Sequence, residues 1–219
     1  MTALEAVDLI QSGDTVTVAG FVGTGVPDEL LDALHKKFSK TKTPQNLCLL
    51  FTAGPGDGHE KGLNRIADKK LVKRVIGGHY GLIPRISQLA LDNEIEAYNI
   101  PQGIISHLYR DIAAGKPGVI TKTGLGTFAD PRIEGGKVNE KSTDDVIKLI
   151  NIEDEVYLFV PSFPINVAIL RGSVADATGN ISMRKEALRL DNLAQAMATK
   201  NSNGRVIVQV ERVCEDPLP

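Results

Sequence analysis

Short apolar runs alternate along the chain with amphipathic stretches that are long enough to form helices. Residues 15–19, four of which are β-branched, predict a strand, and the continuous apolar run 46–51 is typical of a strand buried on both faces of a sheet. Between these two strands, apolar residues recur at helical spacing and predict a helix whose core-facing positions are Leu30, Leu31, Leu34 and Phe38.

The same alternation continues to the C-terminal part of the chain. Thr2 and Glu5 have the spacing of a capping box and predict a first helix close to the N-terminus. Further strands are predicted at 72–76, 95–100, 155–160, 166–170 and 205–213, and helices at 83–91, 104–114, 144–150 (capped by Thr143) and 187–199. This alternation predicts an α/β fold with an open, largely parallel sheet and helices on both faces.

Length and composition indicate one main domain. We assign residues 1–213 to it, and we expect the polar, proline-containing residues 214–219 to begin a linker or a disordered tail. The chain lacks tryptophan, and only 5% of its residues are aromatic, so the core is expected to be aliphatic.

Charge and cysteine content exclude several classes of function. The net charge of −2 argues against a nucleic-acid surface, and the short basic cluster around Lys69 is interpreted as a solvated helix face. No stretch is apolar for long enough to predict a membrane span, and no signal peptide is recognisable, so we expect a cytoplasmic protein. Cys48 and Cys214 lie in dissimilar surroundings and predict neither a disulfide framework nor a metal site.

Four turns at predicted strand ends are rich in glycine and polar residues: 20–25, 52–58, 77–81 and 101–103. Parallel strands bring their carboxyl ends to one edge of a sheet, which is where open α/β folds bind ligands. The spacing of Gly20, Gly23 and Gly25 is neither that of a dinucleotide fingerprint nor that of a P-loop. We predict a substrate-binding turn there; the alternative is a turn that only permits close packing. Its candidate residues are Gly20, Phe21, Val22, Gly23 and Gly25.

Gln102 is the residue of these turns with the clearest chemistry. A side-chain amide between a strand and a helix can donate a hydrogen bond to an oxygen that gains negative charge during a reaction. The alternative for Gln102 is a local cap or loop hydrogen bond. His79 has no partner visible in the sequence and is interpreted as structural, and His59 beside Glu60 lacks the spacing of metal ligands.

Several segments together resemble the family I coenzyme A transferases. Residues 16–27 resemble the glycine signature of that family, and residues 98–103 its Pro-Gln-Gly turn. Residues 124–132 and 135–140 resemble the long excursion of the acetate/propionate type, and residues 171–180 the closing motif of the α half. The resemblance covers the whole chain in order, and it implies the coenzyme A transferase superfamily fold.

The resemblance implies transfer of coenzyme A from an acyl-CoA to a free short-chain carboxylate. In this family a glutamate attacks the thioester, and an acyl-glutamyl anhydride and then a glutamyl-CoA thioester form. Gln102 would bind the carbonyl or carboxylate oxygen near that glutamate, with Gly103 beside it in the substrate site. Coenzyme A would be a substrate, with no cofactor permanently bound and no metal.

The nucleophilic glutamate of the family belongs to a β half, which we expect outside these residues. Glu60 and Glu134 match its Glu-x-Gly context only superficially and lie in α-half loops. We therefore expect the chain to be inactive without a β half, either as a separate subunit or, by slight preference, as the N-terminal part of a fused enzyme. We also expect a homo-oligomer.

Two rival functions stay open. One is a non-catalytic binding or assembly domain of the same fold. The other is an α/β enzyme that handles a sugar phosphate, although such an enzyme needs basic phosphate ligands at its turns and residues 20–25 include none.

Overall fold

The computed structural model describes residues 1–218, which contain five α-helices, one 3₁₀ turn and twelve strands. The helices are α1 (Ala3–Val7), α2 (Asp28–Thr41), α3 (Pro84–Leu91), α4 (Gln102–Ala113) and α5 (Asn192–Asn201), and the 3₁₀ turn spans Leu63–Ile66. The strands are β1 (Thr15–Val18), β2 (Leu47–Phe51), β3 (Val72–Gly77), β4 (Glu96–Asn99), β5 (Gly118–Thr121), β6 (Lys148–Ile152), β7 (Glu155–Pro161), β8 (Val167–Arg171), β9 (Val174–Asp176), β10 (Ile181–Ser182), β11 (Arg205–Gln209) and β12 (Arg212–Cys214).

Six parallel strands form the central sheet, in the order β11-β8-β1-β2-β3-β4. Helices cover both faces of this sheet. Leu49 and Leu50 are adjacent in β2 and contribute to opposite cores, because successive side chains of a strand point to opposite faces. One core includes Leu31 of α2 and the other includes Leu108 of α4. The predicted α/β fold with an open parallel sheet is therefore confirmed.

Two small sheets flank the central one. β5, β7 and β6 form an antiparallel sheet whose buried side chains join the α4 core, and β10, β9 and β12 form the other. At the N-terminus, Thr2 and Glu5 exchange both hydrogen bonds of the predicted capping box.

The predicted helix at 144–150 is wrong. Residues Lys148–Ile152 instead form β6, which pairs antiparallel with β7 through a two-residue connection at Glu153 and Asp154. Ile150 and Ile152 are β-branched, and their pairing with a long neighbouring strand prevails over the weak helical spacing.

Two other predicted elements have different bounds. The strand predicted at 205–213 is two strands, because β11 pairs with β8 in the central sheet whereas β12 pairs with β9 in a small sheet. The helix predicted from residue 187 begins only at Asn192, so residues 187–190 form a loop. Leu218 donates its backbone N–H to Asp176 at 2.9 Å, and the boundary at residue 213 stays a prediction.

Within residues 1–218, every helix is too short or too polar to cross a lipid bilayer.

Candidate functional site

The four glycine-rich turns meet at the carboxyl edge of the parallel strands, as predicted. Gly56 donates its N–H to the Val22 carbonyl at 2.9 Å, which joins the first turn to the second. Gly54 donates to the His79 carbonyl at 2.8 Å, which joins the second turn to the third. These main-chain bonds hold the first three turns together, and Gly78 of the third turn packs against Gln102 of the fourth.

The first turn is a tight reversal with two special backbone positions. Phe21 and Thr24 exchange backbone hydrogen bonds of 2.9 Å, and Val22 between them has a φ of 58°. Gly20 has a φ of +133°, and a Cβ there would lie 2.7 Å from Pro55 Cβ, so glycine is required by both conformation and space. The reversal leaves Phe21 44% exposed, so an aromatic ring stands at the edge of the site.

Gln102 is the first residue of α4 rather than a residue of the preceding turn. Gly78 makes room for it, because a Cβ on Gly78 would lie 2.5 Å from Gln102 Cγ. Pro101 is the N-cap residue, and the helix start has no side-chain capping bond. Among residues 1–218 the Gln102 amide has no hydrogen-bond partner, so it does not serve as a local cap. Its donor groups are free to meet a ligand.

A small cavity of about 60 Å³ brings Gln102 together with the first turn. Three predicted residues, Gly20, Phe21 and Gln102, line this cavity. Thr52 and Ala53 come from the second predicted turn, and the remaining lining residues, which no sequence motif singled out, are Val18, Leu190, Asp191 and Gln195. We refer to these nine residues as the edge cavity.

The remaining predicted site residues do not line the edge cavity. Gly25 lies next to the cavity residue Leu190: it has a φ of +66°, and a Cβ added there would lie 3.2 Å from Leu190 Cδ1. Val22 lies on the exposed tip of the turn. A Cβ on Gly23 or Gly103 would meet no atom within 4 Å, so the structure gives these two glycines no steric role.

Asp191 joins three segments around the edge cavity. Its carboxylate accepts hydrogen bonds from Thr52 Oγ1 at 3.1 Å and from Ser106 Oγ at 2.6 Å, and pairs with Arg110 Nη1 at 3.1 Å. Ser106 and Arg110 lie one and two turns after Gln102 on α4, so Asp191 fixes the helix that carries Gln102. The carboxylate is thereby balanced by an adjacent cation.

Gln195 forms the floor of the edge cavity together with a buried network. Its Nε2 donates to Thr17 Oγ1 at 2.9 Å and to the Val18 carbonyl at 3.3 Å. Tyr109 lies 2.8 Å from the same Thr17 oxygen, and burial raises the pKa of Tyr109 to about 12, so it keeps its proton. Gln195 Oε1 is buried and has no partner among the described residues.

The two glutamates that match a Glu-x-Gly pattern lie away from the edge cavity. Glu60 has a side chain that is 76% exposed and pairs with Arg85 at 3.1 Å. Neither Glu60 nor Glu134 is among the lining residues, and Asp191 is the one carboxylate among them. In the described part of the chain, no group of three or more histidine, cysteine, aspartate or glutamate side chains is arranged to hold a metal ion.

A larger groove of about 660 Å³ lies at the opposite, amino edge of the sheet. Its lining includes Thr15, Cys48 and Arg74 from the starts of three strands. Arg74 is engaged by Glu96 and Asp144, and burial raises the pKa of the Cys48 thiol to about 11, which disfavours a reactive thiolate. We place the candidate site at the edge cavity, where the free amide lies.

Comparison with known proteins identifies relatives over the whole described chain. Residues 1–218 match the family model described as Coenzyme A transferase. A caffeate CoA-transferase from Acetobacterium woodii is 44% identical over 211 residues, which cover 96% of this chain and 40% of that protein. The acetoacetyl-CoA:acetate/butyrate CoA transferase alpha subunit of Clostridium acetobutylicum is 31% identical over 209 residues, which cover 94% of this chain and 83% of that subunit.

A solved structure has the same fold. The crystal structure of the acyl-CoA transferase YdiF apoenzyme from Escherichia coli O157:H7 matches with a TM-score of 0.95 and 38% sequence identity. The match covers 98% of this chain and 42% of the YdiF chain. This chain thus spans less than half the length of YdiF and of the caffeate CoA-transferase.

Proposed function

Because this chain belongs to the coenzyme A transferase family, we propose that it is the α half of an enzyme that transfers coenzyme A from an acyl-CoA to a free short-chain carboxylate. Coenzyme A is a substrate of this family and, in this proposal, is not permanently bound. The role assigned to this chain is to supply the edge cavity and the Gln102 amide.

The observation that carries the proposal is the free amide of Gln102 in a cavity at the carboxyl edge of the sheet. An amide N–H can stabilise an oxygen that gains negative charge when a carboxylate attacks a thioester, and such donors are typically worth about 10²–10³ in rate. The amide carries no charge of its own and therefore does not trap the carboxylate product as a fixed cation would.

The proposed reaction uses a glutamate carboxylate as the nucleophile. The carboxylate attacks the acyl carbonyl carbon, the C–S bond breaks, and coenzyme A leaves as a thiolate to give a mixed anhydride. The thiolate then attacks the glutamyl carbonyl, which releases the donor acid and leaves a glutamyl-CoA thioester. The acceptor carboxylate repeats these steps in reverse, and Gln102 donates to the oxygen at each tetrahedral stage.

We assign that glutamate to a β half. No glutamate among residues 1–218 lines the edge cavity, and the carboxylate of Asp191 is already engaged by Arg110, Ser106 and Thr52. The relative from Clostridium acetobutylicum is named as an alpha subunit, which supports a separate or fused β partner here. A volume of about 60 Å³ admits an acyl end or a carboxylate but not the body of coenzyme A.

Assembly is part of the proposal. Leu193 and Met197 lie one turn apart on α5 and are 74% and 52% exposed. Apolar side chains grouped in this way favour burial against another chain. We expect the complete enzyme, with its α and β halves, to assemble as a homo-oligomer. We expect it to be located in the cytoplasm.

The rival functions have less support. A sugar-phosphate enzyme needs cations at its turns, and the lining residues of the edge cavity include neither lysine nor arginine. A purely structural domain assigns no role to the Gln102 amide, which lines the edge cavity without a hydrogen bond to residues 1–218.

The test is a transferase assay with acetyl-CoA and propionate. We expect no turnover from the chain alone and clear turnover when it is coexpressed with its β half. As a control, Glu60→Gln and Glu134→Gln are expected to leave the activity of the assembled enzyme unchanged.

Robust turnover by the isolated chain that disappears in one of these two variants would show that the nucleophile lies in this chain. Light scattering on the isolated chain provides a second check. We expect a dimer or larger species at micromolar concentration, and a clean monomer would contradict the expected self-association.

A further inference from the structure

The small sheet β5-β7-β6 has an outer face that stays accessible to solvent. Successive side chains of a strand point to opposite faces, so the buried Val119, Leu158 and Val160, which join the α4 core, mark the inner face. Their neighbours along the strands mark the outer face. Its apolar members are Ile120, Ile150, Ile152, Tyr157 and Phe159.

This outer face departs from the usual pattern of an antiparallel sheet, in which the solvent side is polar. Ile120 and Ile152 are 46% and 43% exposed, and the other three apolar side chains are partly buried. In register, Ile120 lies beside Phe159 and Ile150 beside Tyr157, so the apolar side chains are contiguous across the three strands. A contiguous apolar patch at a protein surface is typical of an interface with another chain.

The polar groups at the border of this face are satisfied within the chain. Lys122 Nζ lies 2.6 Å from Glu155 Oε1 and 5.1 Å from the centre of the Tyr157 ring. Tyr157 donates its hydroxyl to Glu155 Oε2 at 2.7 Å. The face therefore has an apolar centre and a neutralised polar border, which is the arrangement of a protein–protein interface.

The β6–β7 hairpin carries unbalanced charge of opposite sign at its two ends. Lys148 begins β6 opposite Phe159, and Glu153 and Asp154 form the turn at the other end. All three charged residues are exposed, and the described part of the chain pairs none of them with an opposite charge. The five residues of β6 span about 17 Å, which exceeds the Debye length of about 8 Å at physiological ionic strength, so the two ends do not compensate each other.

The acids just before β6 do not cancel the charge of Lys148. Asp144 is paired with Arg74, and Asp145 is paired with Lys137 at 2.7 Å. The base of the hairpin therefore keeps one positive charge, and its turn keeps the two negative charges of Glu153 and Asp154.

We propose that the outer face of the β5-β7-β6 sheet is the contact between two copies of this chain, which pack face to face about a two-fold axis that runs across the strands. A two-fold interface joins the same patch of both copies. With the axis in this direction, the turn of one hairpin lies over the base of the other, so Glu153 and Asp154 meet Lys148 of the other copy. An axis along the strands would place acid against acid, which like-charge repulsion disfavours.

The first arm of the test measures self-association of the 219-residue chain by analytical ultracentrifugation. We expect the wild type to dimerise at micromolar concentration, and Ile150→Glu to raise the dimer Kd by about 30-fold or more, as for loss of a central interface residue. Leu91→Glu is the matched control, because Leu91 is 73% exposed on α3, and it should leave the Kd unchanged. A monomeric wild type, or a dimer that Ile150→Glu does not weaken, would overturn the proposal.

The second arm tests the direction of the axis through charge alone, and therefore does not require an apolar substitution to be tolerated. Lys148→Glu alone, or Glu153→Lys with Asp154→Lys, places like charges together at both ends and should raise the Kd by about fivefold. Reversing all three charges in one chain restores the complementarity and should restore the Kd. A Kd that stays high after full reversal would contradict the two-fold contact.

The third arm identifies the occupant of the face. The Lys148→Glu chain and the chain with both turn acids reversed complement each other, so a mixture of them should form a heterodimer about as tight as the wild-type dimer. Copurification with a β half measures the other possible occupant, and Ile150→Glu should leave it unchanged. Loss of the β half with an intact dimer would show that this face binds the β half. These readouts do not depend on transferase activity.

Discussion

Asp176 and Gln195 are both almost fully buried polar residues, yet their surroundings differ sharply. The Asp176 carboxylate accepts five hydrogen bonds, from the backbone N–H groups of Thr178, Asn180 and Leu218 and from the side chains of Thr178 and Asn180. Gln195 Oε1 accepts none within residues 1–218. A buried group that the protein satisfies completely supports the fold, whereas a buried acceptor without a protein donor still needs a partner such as a water molecule, an ion or a ligand.

The same contrast applies to the two regions in which these residues lie. The loop around Asp176 is part of the segment that resembles the closing motif of the α half, and its polar groups face one another. The edge cavity is lined by Gln102, whose amide has no partner within residues 1–218, and by Gln195, whose buried Oε1 has none there either. Substitutions should therefore affect stability in the first region and reaction rate in the second.

The largest effect is expected from Gln102→Glu in the assembled enzyme. A carboxylate there cannot donate and repels both the nucleophilic glutamate and the acceptor, so turnover should fall by roughly 10³-fold. Gln11→Glu adds the same charge at an exposed position and should leave turnover unchanged. Steady-state assays of both variants check this. Normal turnover by the Gln102→Glu enzyme would show that the reactive site does not lie at the edge cavity.

The next effect is on stability. Asp176→Ala deprives three backbone N–H groups of their acceptor and should lower the melting midpoint by on the order of 5 °C. Asp145→Ala is the matched control, because the Asp145 side chain is 75% exposed and should matter little. Calorimetry on the isolated chain measures both, and equal midpoints would contradict a structural role for Asp176.

Low pH is expected to remove part of the stabilisation that the Asp176 carboxylate provides. Hydrogen bonds from the Leu218 N–H and from Asn180 and Thr178 hold the pKa of the Asp176 carboxyl well below its usual range. The stabilisation is thus complete above the ordinary carboxyl pKa of about 4 and is lost as the pH falls below it. The gap in urea midpoint between wild type and Asp176→Asn should narrow from pH 7 to pH 3, and a constant gap would contradict this linkage.

The smallest effect on stability is expected from a substitution in the hydrogen-bonded network beneath the edge cavity. Tyr109→Phe removes the 2.8 Å bond with Thr17 and the long 3.4 Å bond from Gln195 Nε2, but Thr17 keeps its bonds to Gln195 and to the Leu50 carbonyl. The free energy of unfolding should therefore fall by only about 1 kcal/mol, and turnover should stay the same. Urea denaturation and the transferase assay check this, and a large loss of turnover would assign Tyr109 to the reactive site.

The sequence predicts the parallel sheet and its edge well because both depend on local patterns. The apolar run at residues 46–51 is strand β2 with both neighbours parallel, and the glycine turns lie where the strands end. The helix predicted at 144–150 is wrong because β6 gains its hydrogen bonds from β7, a partner that helical spacing does not reveal.

Only some residues of the edge cavity can be predicted from the sequence, for a related reason. Gly20, Phe21 and Gln102 stand in recognisable turns, whereas Gln195 depends on Thr17, which is 178 positions earlier in the chain. Its side chain lies within an ordinary helical stretch, so no local pattern distinguishes it. Asp191 precedes the same helix and gains its role from Ser106 and Arg110 of α4.

The most direct test of the account is Gln102→Ala in the assembled enzyme, with kcat/KM and melting midpoint measured on the same preparation. We predict a loss of roughly 10²-fold in kcat/KM, as for removal of one oxyanion donor, with stability changed by less than about 1 kcal/mol. Unchanged turnover with a sharply lower melting midpoint would show that Gln102 is a structural residue and would contradict the assignment of the edge cavity as the reactive site.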